Sequence, residues 1–598
     1  MENTTTDKTV GTVQPQIVTL TLPAGGFQLE KGGFLPEVRV AYERCGVCTA
    51  TQDNVIFVCH ALTGDAHVAG LRPGETEPSG WWEGLIGPGK AIDTNHYHVI
   101  CANILGGCKG TTGPSSINPE TGKPYGSAFP KITVRDIIEV HRLLLKQLGV
   151  QRLYAVIGGS FGGMQIIEWV ARYSEEIDRA IIVASAASLN SQALAFDIVG
   201  RHAIIADPNW NNGDYYDQEE QPHSGLSSAR KLAHITYLSQ DLMDEKFGRE
   251  KRREWLAADT EFKSKIDRNF GTYFQVESYL QYQGEKFIQR FDANSYLHIT
   301  LAMDEYDAVE RYGSLDKAFE KVQSQILIVA MSGDWLFMPE QSEVLVSALV
   351  RQQKRVSYCL LKTEAGHDAF LTHICDLTRI VNAFIEPATE MTYRPVDREV
   401  RTQAYQRLVD LIPNHARVLD LGCGDGLLLD ILRRQKNVSG NGIEIDVEKV
   451  IAAIMSGADI LLEDIDEGLG MIPDKSYDVV ILSETLQTIK KPREILRQIL
   501  RVANEAVISF PNFACFHVRT QLLFSGRMPK GKAIPYEWYD TPNIHLFTLK
   551  DFLALCEEEH FVVANLVCTA HQPLDRLLLM FGAKNSGAEN VTARITRR

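Results

Sequence analysis

The run Leu153-Tyr154-Ala155-Val156-Ile157-Gly158-Gly159-Ser160-Phe161-Gly162-Gly163 decides how this chain folds. It is an apolar, β-rich segment that enters a G-x-S-x-G motif, and residues 164–173 after it favour a helix. In a nucleophile elbow the flanking glycines let the chain turn sharply, so that the serine oxygen projects above the sheet. An ordinary glycine-rich turn after a buried strand could have the same residues. The strand before the motif and the helix after it favour the elbow instead. The run therefore predicts a nucleophilic Ser160 at the end of a central strand.

Apolar, β-rich runs alternate with helical stretches from about residue 35 onward, which is typical of βαβ units and a mostly parallel sheet. The segment between the fourth and fifth of these runs has few strand signals and many helical ones. We expect it to form a helical lid over the sheet at about residues 187–322. The first domain then spans residues 15–385. The six runs are 54–59, 98–103, 153–157, 180–184, 325–330 and 356–362.

A second alternating series begins near residue 400, which predicts another α/β domain at residues 401–585. The polar stretch 386–400 between the two series contains Pro387 and Pro395 and is the best candidate for a linker. The runs of the second series are 417–421, 440–445, 459–462, 477–482 and 505–510.

The composition excludes several classes of function. The chain has 598 residues and a formal net charge of −15, and an acidic protein repels the phosphate backbone of nucleic acids. No apolar run approaches the ~18 residues that a membrane span needs, and the N-terminus has no secretory signal. The eleven cysteines have irregular spacing, which fits a reducing compartment. We therefore expect a cytoplasmic protein without a nucleic-acid or membrane partner.

Cys45 and Cys48 form a C-x-x-C pair, which occurs in redox and zinc sites. Four zinc ligands would need a second such pair or two nearby histidines, and the sequence offers neither. The pair is therefore interpreted as two small residues in the turn after the strand at 38–42, and we expect no metal.

A serine hydroxyl needs a base to become a nucleophile, and the base needs an orienting acid. In the α/β-hydrolase fold these follow the serine in the order Asp or Glu, then His, each after a later strand. Asp334 follows the run 325–330 and His367 follows the run 356–362. The sequence thus predicts an α/β-hydrolase fold with a Ser160–Asp334–His367 triad. The backbone N–H groups of Phe161 and Leu62 are the expected oxyanion hole.

Three runs resemble the signature of homoserine O-acyltransferases: NILGGCKGTTGPSSINP at 103–119, GGSFGGMQ at 158–165 and GHDAFL at 366–371. The resemblance covers about residues 15–385. It implies that an acyl group passes from coenzyme A to the serine and then to the hydroxyl of L-homoserine. It also implies that Arg230 grips the substrate carboxylate, that Asp368 binds its ammonium group, and that the protein is a homodimer formed through the lid.

The resemblance also bears on the acyl group. Members that use succinyl-CoA place an arginine two residues after the catalytic aspartate, and this chain has Leu336 there. An apolar residue would leave the succinyl carboxylate unpaired in a dry tunnel, which is costly. We therefore expect acetyl-CoA as co-substrate. Succinyl-CoA stays the alternative, because another cation could take the place of that arginine.

The second domain opens with VLDLGCGDG at 418–426, a strand that runs into a glycine-rich turn. This run resembles the first motif of class I, Rossmann-like methyltransferases that use S-adenosylmethionine. The resemblance implies a cofactor site formed by five residues. They are Asp420, Gly422, Gly424, Glu444, which would hold the ribose hydroxyls, and Asp464, near the adenine. An empty or vestigial site is the competing interpretation.

The segment 405–585 also resembles the MetW-type methyltransferase-like proteins of methionine biosynthesis, with LSETLQ at 482–487 and ISFPNF at 508–513 as matching runs. No residue marks a methyl acceptor. The leading interpretation is a homoserine O-acetyltransferase fused to a MetW-like domain that supports it. A serine esterase fused to a methyltransferase is the alternative from another class.

Overall fold

The structure is a computed structural model of the chain, and it describes residues 9–251, 274–386, 401, 405–530 and 537–597. The chain divides into two compact units. The first comprises Met1–Ala348 and Leu360–Ile385, and the second comprises Leu349–Cys359 and Glu386–Arg598. The predicted linker at 386–400 lies, apart from its first residue, outside the described residues.

The first unit is built on a mostly parallel sheet in the order β1-β4-β8-β5-β9-β10-β11. The four pairs from β8 to β11 are parallel, whereas β1 and β4 pair in antiparallel fashion at one edge. The antiparallel pair β2–β3 and the parallel pair β6–β7 form two separate short sheets. The strands are β1 Gln16–Thr19, β2 Phe27–Gln28, β3 Phe34–Leu35, β4 Arg39–Gly46, β5 Val55–Cys59, β6 Ile86–Gly87, β7 Ile92–Asp93, β8 His98–Ala102, β9 Leu153–Gly159, β10 Ile177–Val183 and β11 Gln325–Met331. A further strand, β12 Val356–Leu361, has residues in both units.

The central strands of this sheet are buried along almost their whole length, as expected for parallel strands covered on both faces. Every residue of β5 and β8 is buried. Gly159 of β9 pairs with Val183 of β10, which pairs in turn with Val329 of β11. Because this register makes the strands end nearly level, the loops that follow them meet at one edge of the sheet.

Helices connect the strands and fill the segment between β10 and β11. Val134–Gln147 begins with a capping box in which Thr133 and Asp136 exchange side chain and backbone hydrogen bonds. The other helices outside the predicted lid are Phe161–Tyr173, Pro339–Arg351, Ala369–Thr372 and Cys375–Ile385. Those between β10 and β11 are Ser191–Ile205, His223–Tyr237, Gln240–Lys246, Gln275–Ile288, Ala293–Asp304, Ala308–Tyr312 and Leu315–Phe319.

The second unit has its own strands, in the order β15-β14-β13-β16-β17-β19-β18. The pairs from β15 to β17 are parallel, and β19 is antiparallel to both of its neighbours. The strands are β13 Arg417–Leu421, β14 Ser439–Glu444, β15 Asp459–Leu462, β16 Tyr477–Ser483, β17 Ala503–Pro511, β18 Phe561–Thr569 and β19 Asn590–Arg597. The helices are Leu427–Lys436, Val447–Met455, Pro492–Val502, Phe516–Ser525, Leu549–Glu558, Pro573–Met580 and Lys584–Gly587.

Each β-rich run predicted from the sequence overlaps one of these strands. The antiparallel strands β1, β18 and β19 and the short strand pairs were not predicted, because their alternating or brief apolar patterns give a weaker signal than a buried parallel strand. None of the helices in the described part of the chain combines the length and apolar character that crossing a bilayer requires.

The helix Phe161–Tyr173 lies unusually close to β5, and a glycine makes this possible. A Cβ atom on Gly162 would overlap the carbonyl oxygen of Cys59, whereas a Cβ on Gly200, in the helix Ser191–Ile205, would have its nearest neighbour, the Ala229 Cβ, at 3.5 Å. The close approach fixes the start of the helix against the sheet.

Alanine at these two helical glycines should therefore have opposite effects. Helix propensity alone would stabilise both variants by up to about 1 kcal/mol. We expect Gly200→Ala to be neutral or stabilising, and Gly162→Ala to destabilise by about 1–3 kcal/mol because of the overlap. Thermal unfolding followed by circular dichroism measures both, and an unchanged melting temperature for Gly162→Ala would contradict the packing described here.

Candidate active site

Ser160 stands at the junction of β9 and the following helix in a conformation that few non-glycine residues adopt. Its φ and ψ angles are 57° and −126°. Such a backbone costs about 1–3 kcal/mol and persists only when its surroundings hold it. Here the Ser160 N–H donates to the Val183 carbonyl at 2.9 Å, and the Ser185 hydroxyl donates to the Ser160 carbonyl at 2.8 Å. The sharp turn predicted from the sequence is present.

Asp334 and His367 lie in the loops after β11 and β12 and contact each other directly. The His367 Nδ1 atom is 2.7 Å from Asp334 Oδ2. The other carboxylate oxygen, Oδ1, accepts the backbone N–H groups of Leu336 and Phe337, each at 2.9 Å. The Phe337 ring stacks on the imidazole with 5.2 Å between centroids. These contacts fix the orientation of both side chains.

Burial and charge act in opposite directions on His367. Burial lowers its pKa, but the Asp334 carboxylate raises it by charge and by the hydrogen bond, and the net pKa lies above the ordinary 6.5. His141 provides the contrast, since burial, without such a carboxylate partner, lowers its pKa to about 3. Asp334 therefore gives His367 the basicity that a proton acceptor needs.

Ser160 and His367 line one cavity of about 510 Å³ together with Arg230 and Asp368. The Arg230 side chain is buried; its Nη1 donates to Thr63 Oγ1 at 3.2 Å, and its guanidinium carbon lies 4.7 Å from the centre of the Phe287 ring. Its Nε atom is buried and has no hydrogen-bond partner among the described residues. A largely buried cation in the wall of a cavity is suited to bind an anion.

Asp368 lies beside His367 in the wall of the same cavity. Burial raises its pKa, and the charges of His367 and Arg230 only partly oppose this. The cavity wall therefore holds both acidic and basic side chains, among them Asp368 and Arg230.

A second, smaller chamber of about 40 Å³ also opens onto Ser160. Leu336 and Phe337 form part of its wall. Leu62 lines both the chamber and the large cavity. Phe161 is the first residue of its helix, where a backbone N–H has no partner within the helix. Both residues of the expected oxyanion hole are thus located next to Ser160.

Arg290 is a cavity residue that the sequence did not single out. Its Nη1 donates to the Thr63 carbonyl at 3.0 Å, so that two arginines hold the same threonine. Burial, and to a lesser degree the charge of Arg230, lower its pKa. No motif surrounds Arg290, which lies in the turn after the helix Gln275–Ile288, and only the structure shows its contact with Thr63.

Two further groups bear on metal binding. Cys45 and Cys48 are both free thiols, on β4 and just after it, with Cys48 exposed. In the second unit His517 Nδ1 lies 2.8 Å from Asp575 Oδ2 and 3.9 Å from Glu589 Oε1, a cluster that the sequence did not suggest. Asp575 also accepts the N–H of Phe516, and Glu589 that of Gln572, so both carboxylates anchor helix starts.

The glycine-rich turn after β13 brings most of the residues proposed for the cofactor together. Gly422 and Gly424 have φ angles of 72° and 58°, and a Cβ on Gly424 would meet nothing within 4 Å. Glu444 Oε2 accepts the Gly424 N–H at 2.8 Å, and Oε1 accepts the N–H groups of Ile445 and Asp446 at 3.0 and 3.1 Å. Backbone donors therefore hold the Glu444 carboxylate beside open space.

The other two proposed residues differ in their surroundings. Asp420 is buried, and its burial and the neighbouring Glu444 charge raise its pKa to about 7. Asp464 lies after β15, is half-buried, and caps a short helix by accepting the Asp466 N–H. Of the two carboxylates beside the turn, Asp420 therefore binds a proton more readily than an ordinary aspartate, and Glu444 is oriented by backbone N–H groups.

Comparison with known families matches both units. Residues 54–374 match the family described as alpha/beta hydrolase fold, and residues 402–586 match the family described as methionine biosynthesis protein MetW. The α/β-hydrolase fold predicted from the Ser160 elbow is confirmed.

Two curated relatives match this chain over most of their own length. The chain is 39% identical over 548 residues to a bifunctional methionine biosynthesis protein MetXA/MetW of Rhodopirellula baltica, covering 90% of this chain and 86% of that protein. It is 44% identical over 438 residues to a homoserine O-acetyltransferase of Methanocorpusculum labreanum, covering 72% of this chain and 86% of that protein.

Solved structures resemble the first part of the chain. Homoserine O-acetyltransferase from Bacillus anthracis matches with a TM-score of 0.57 and 28% identity, covering 63% of this chain and 99% of that one. Esterase E22 matches with a TM-score of 0.56 and 28% identity, covering 62% of this chain and 100% of that one. The fold therefore accommodates both chemistries, and these two solved structures are equally similar to this chain in sequence.

The pairing of His367 with Asp334 makes a testable prediction about proton affinity. In ¹⁵N-histidine spectra the His367 signal, assigned by its loss in His367→Gln, should titrate above pH 6.5. In Asp334→Asn its pKa should fall, because the carboxylate that stabilises the imidazolium is gone. His141 serves as the internal control and should remain neutral down to pH 5 in both proteins. A His367 pKa that does not respond to Asp334→Asn would contradict the electrostatic coupling.

Proposed function

We propose a two-step acyl transfer at Ser160, starting from the premise that this chain belongs to the family of bifunctional methionine biosynthesis proteins of the MetXA/MetW kind. It is an acyltransferase of the homoserine O-acetyltransferase type, fused to a MetW domain. The observation that carries the mechanism is the arrangement of three side chains around one cavity. They are Ser160 with its strained backbone, His367 oriented by the buried Asp334, and the buried Arg230, whose Nε has no hydrogen-bond partner among the described residues.

In the first step Ser160 Oγ attacks the thioester carbonyl of acetyl-CoA while His367 takes its proton. The N–H groups of Leu62 and Phe161 stabilise the oxyanion. The carbon–sulfur bond then breaks, the coenzyme A thiolate receives the proton from His367, and acetyl-Ser160 remains. Asp334 keeps the imidazole oriented and stabilises its positive charge during the transfer.

In the second step the hydroxyl of L-homoserine attacks acetyl-Ser160, and His367 takes the hydroxyl proton. The Ser160 Oγ–carbonyl bond breaks, Ser160 regains a proton from His367, and O-acetylhomoserine leaves. Arg230 binds the substrate carboxylate and Asp368 its ammonium group, which places the hydroxyl towards the serine. Both side chains line the cavity together with Ser160 and His367, which supports this orientation.

We propose acetyl-CoA as the donor, with Leu336 as a residue that disfavours succinyl-CoA. Leu336 lines the small chamber beside Ser160, where its apolar side chain offers no partner to a second carboxylate. We also propose that the protein works in the cytoplasm as a homodimer formed through the lid. Exposed Val199 and Ile205 on the lid helix Ser191–Ile205 support a contact there.

For the second unit we propose a class I methyltransferase-like domain that binds S-adenosylmethionine through Asp420, Gly422, Gly424, Glu444 and Asp464. The strand order β15-β14-β13-β16-β17-β19-β18, with one antiparallel strand, supports this assignment. The open space over Gly424 and the held Glu444 carboxylate fit a nucleoside with two ribose hydroxyls. When bound, this cofactor would carry a transferable methyl group. A second role is support of the acyltransferase, since fusion keeps the two units at a high effective concentration.

Ser160→Ala should abolish coenzyme A release, lowering the rate by about four to six orders of magnitude, because the nucleophile is lost. Mass spectrometry of the wild-type protein with acetyl-CoA alone should find an acetyl group on the Ser160 peptide. Ser79→Ala, at another serine of the cavity wall, is the matched control and should keep the acetyl label.

Transfer without an acetylated intermediate would refute the two-step mechanism. The same assay separates the esterase alternative: an esterase would hydrolyse a neutral acetyl ester at least as fast as it transfers acetyl to homoserine, whereas an acetyltransferase releases coenzyme A mainly when homoserine is present.

Glu444→Ala should weaken S-adenosylmethionine binding by about tenfold to a hundredfold, as expected for the loss of charge-assisted hydrogen bonds. Glu448→Ala, an exposed carboxylate on the adjacent helix, is the matched control and should bind normally. Isothermal titration calorimetry measures both. If millimolar S-adenosylmethionine gives no signal with the wild-type protein, the vestigial interpretation of this domain is correct.

A further inference from the structure

The small chamber beside Ser160 has a polar wall opposite Leu336. Asp197, on the helix Ser191–Ile205, forms part of that wall. A chamber of about 40 Å³ has room for about three water-sized groups. It opens onto the serine that becomes acylated, so it is the place where the acyl side chain can lie.

Asp197 belongs to a buried group of three charged residues. Its carboxyl group hydrogen-bonds that of Asp304, the last residue of the helix Ala293–Asp304. Asp304 Oδ2 lies 2.6 Å from Arg201 Nη2, and both side chains are mostly buried. Arg201 is one helical turn beyond Asp197, so the two side chains lie on the same face of that helix. Among the described residues that line the chamber there is no lysine or arginine.

The charges within this group are paired in part. Burial and the Asp304 charge raise the pKa of Asp197 well above its ordinary range, and Arg201 opposes this. The Asp304 carboxylate pairs with the Arg201 guanidinium through Oδ2, while Arg201 Nη1 is buried without a hydrogen-bond partner among the described residues. An arginine whose charge is paired with a buried carboxylate attracts a second anion less than an unpaired one does.

We propose that Asp304 determines acyl specificity by holding Arg201, so that no free cation can pair with the carboxylate of a succinyl group in the chamber. The inference rests on the proposed acyl transfer at Ser160 and adds a residue to it. A carboxylate that enters the chamber would be desolvated without a partner, which disfavours it strongly. Leu336 and the Asp304–Arg201 pair then both disfavour a second carboxylate.

Three donors separate charge from size: acetyl-CoA, butyryl-CoA and succinyl-CoA, the last two having acyl chains of the same length. The kcat/KM for coenzyme A release is measured with each donor in the presence of homoserine. The variant Asp197→Asn/Asp304→Asn leaves Arg201 without either carboxylate and should raise the ratio of succinyl-CoA to butyryl-CoA by about tenfold. The triple variant Asp197→Asn/Arg201→Gln/Asp304→Asn loses the same ion pair without freeing a cation, and its ratio should equal that of the wild type.

An unchanged ratio in Asp197→Asn/Asp304→Asn overturns the proposal, and so does a gain that persists in the triple variant. If Asp197→Asn/Asp304→Asn does not fold, Asp197→Ser/Asp304→Ser replaces it, with the same expectation. A wild-type protein that turns over acetyl-CoA with homoserine upholds the proposed function even when the ratio does not move. A wild-type protein inactive with all three donors refutes both.

Discussion

The first unit depends on one constraint, the turn at Ser160. A residue with a side chain has to adopt a positive φ while the helix behind it lies almost in contact with β5. Gly162 permits that approach, and the hydrogen bonds from Ser160 to Val183 and from Ser185 to Ser160 hold the strained backbone. The strain is therefore supported by the sheet itself, which explains why the serine lies where the strands end.

Burial gives the triad its properties, but only because the charges are paired. A buried imidazole alone becomes a weak base, as His141 illustrates with a pKa of about 3. His367 is equally buried and yet more basic than a free histidine, because Asp334 faces it. Asp334 in turn is stabilised by two backbone N–H groups from the loop that also carries Leu336. One short loop thus controls both basicity and the wall of the acyl chamber.

The sequence allowed prediction of those parts of the site that follow directly from a strand. Ser160, Asp334 and His367 each come after a strongly apolar run, so their common edge could be inferred from the order of strands alone. Asp197 and Asp304 lie on helices of the segment between β10 and β11, and Arg290 lies in a turn of that segment. The proximity of all three to the site depends on how these helices pack. Helical periodicity shows which face is apolar but not which neighbour it meets. For the same reason the antiparallel edge strands β18 and β19 were missed.

The two arginines near Ser160 show how the same side chain can serve opposite purposes. Each has one buried nitrogen without a hydrogen-bond partner among the described residues, but Arg201 is also paired with the Asp304 carboxylate at 2.6 Å. Arg230 lines the large cavity. In the proposed reaction the acceptor homoserine carries a carboxylate that the site must bind, whereas succinyl-CoA would carry a carboxylate that the site must exclude. Arg230, which faces the acceptor, and Arg201, which is paired with Asp304, would therefore distinguish these two carboxylates by the place where each one lies. Because an arginine stays charged at any physiological pH, this distinction has to come from its partner, and Asp304 is that partner for Arg201.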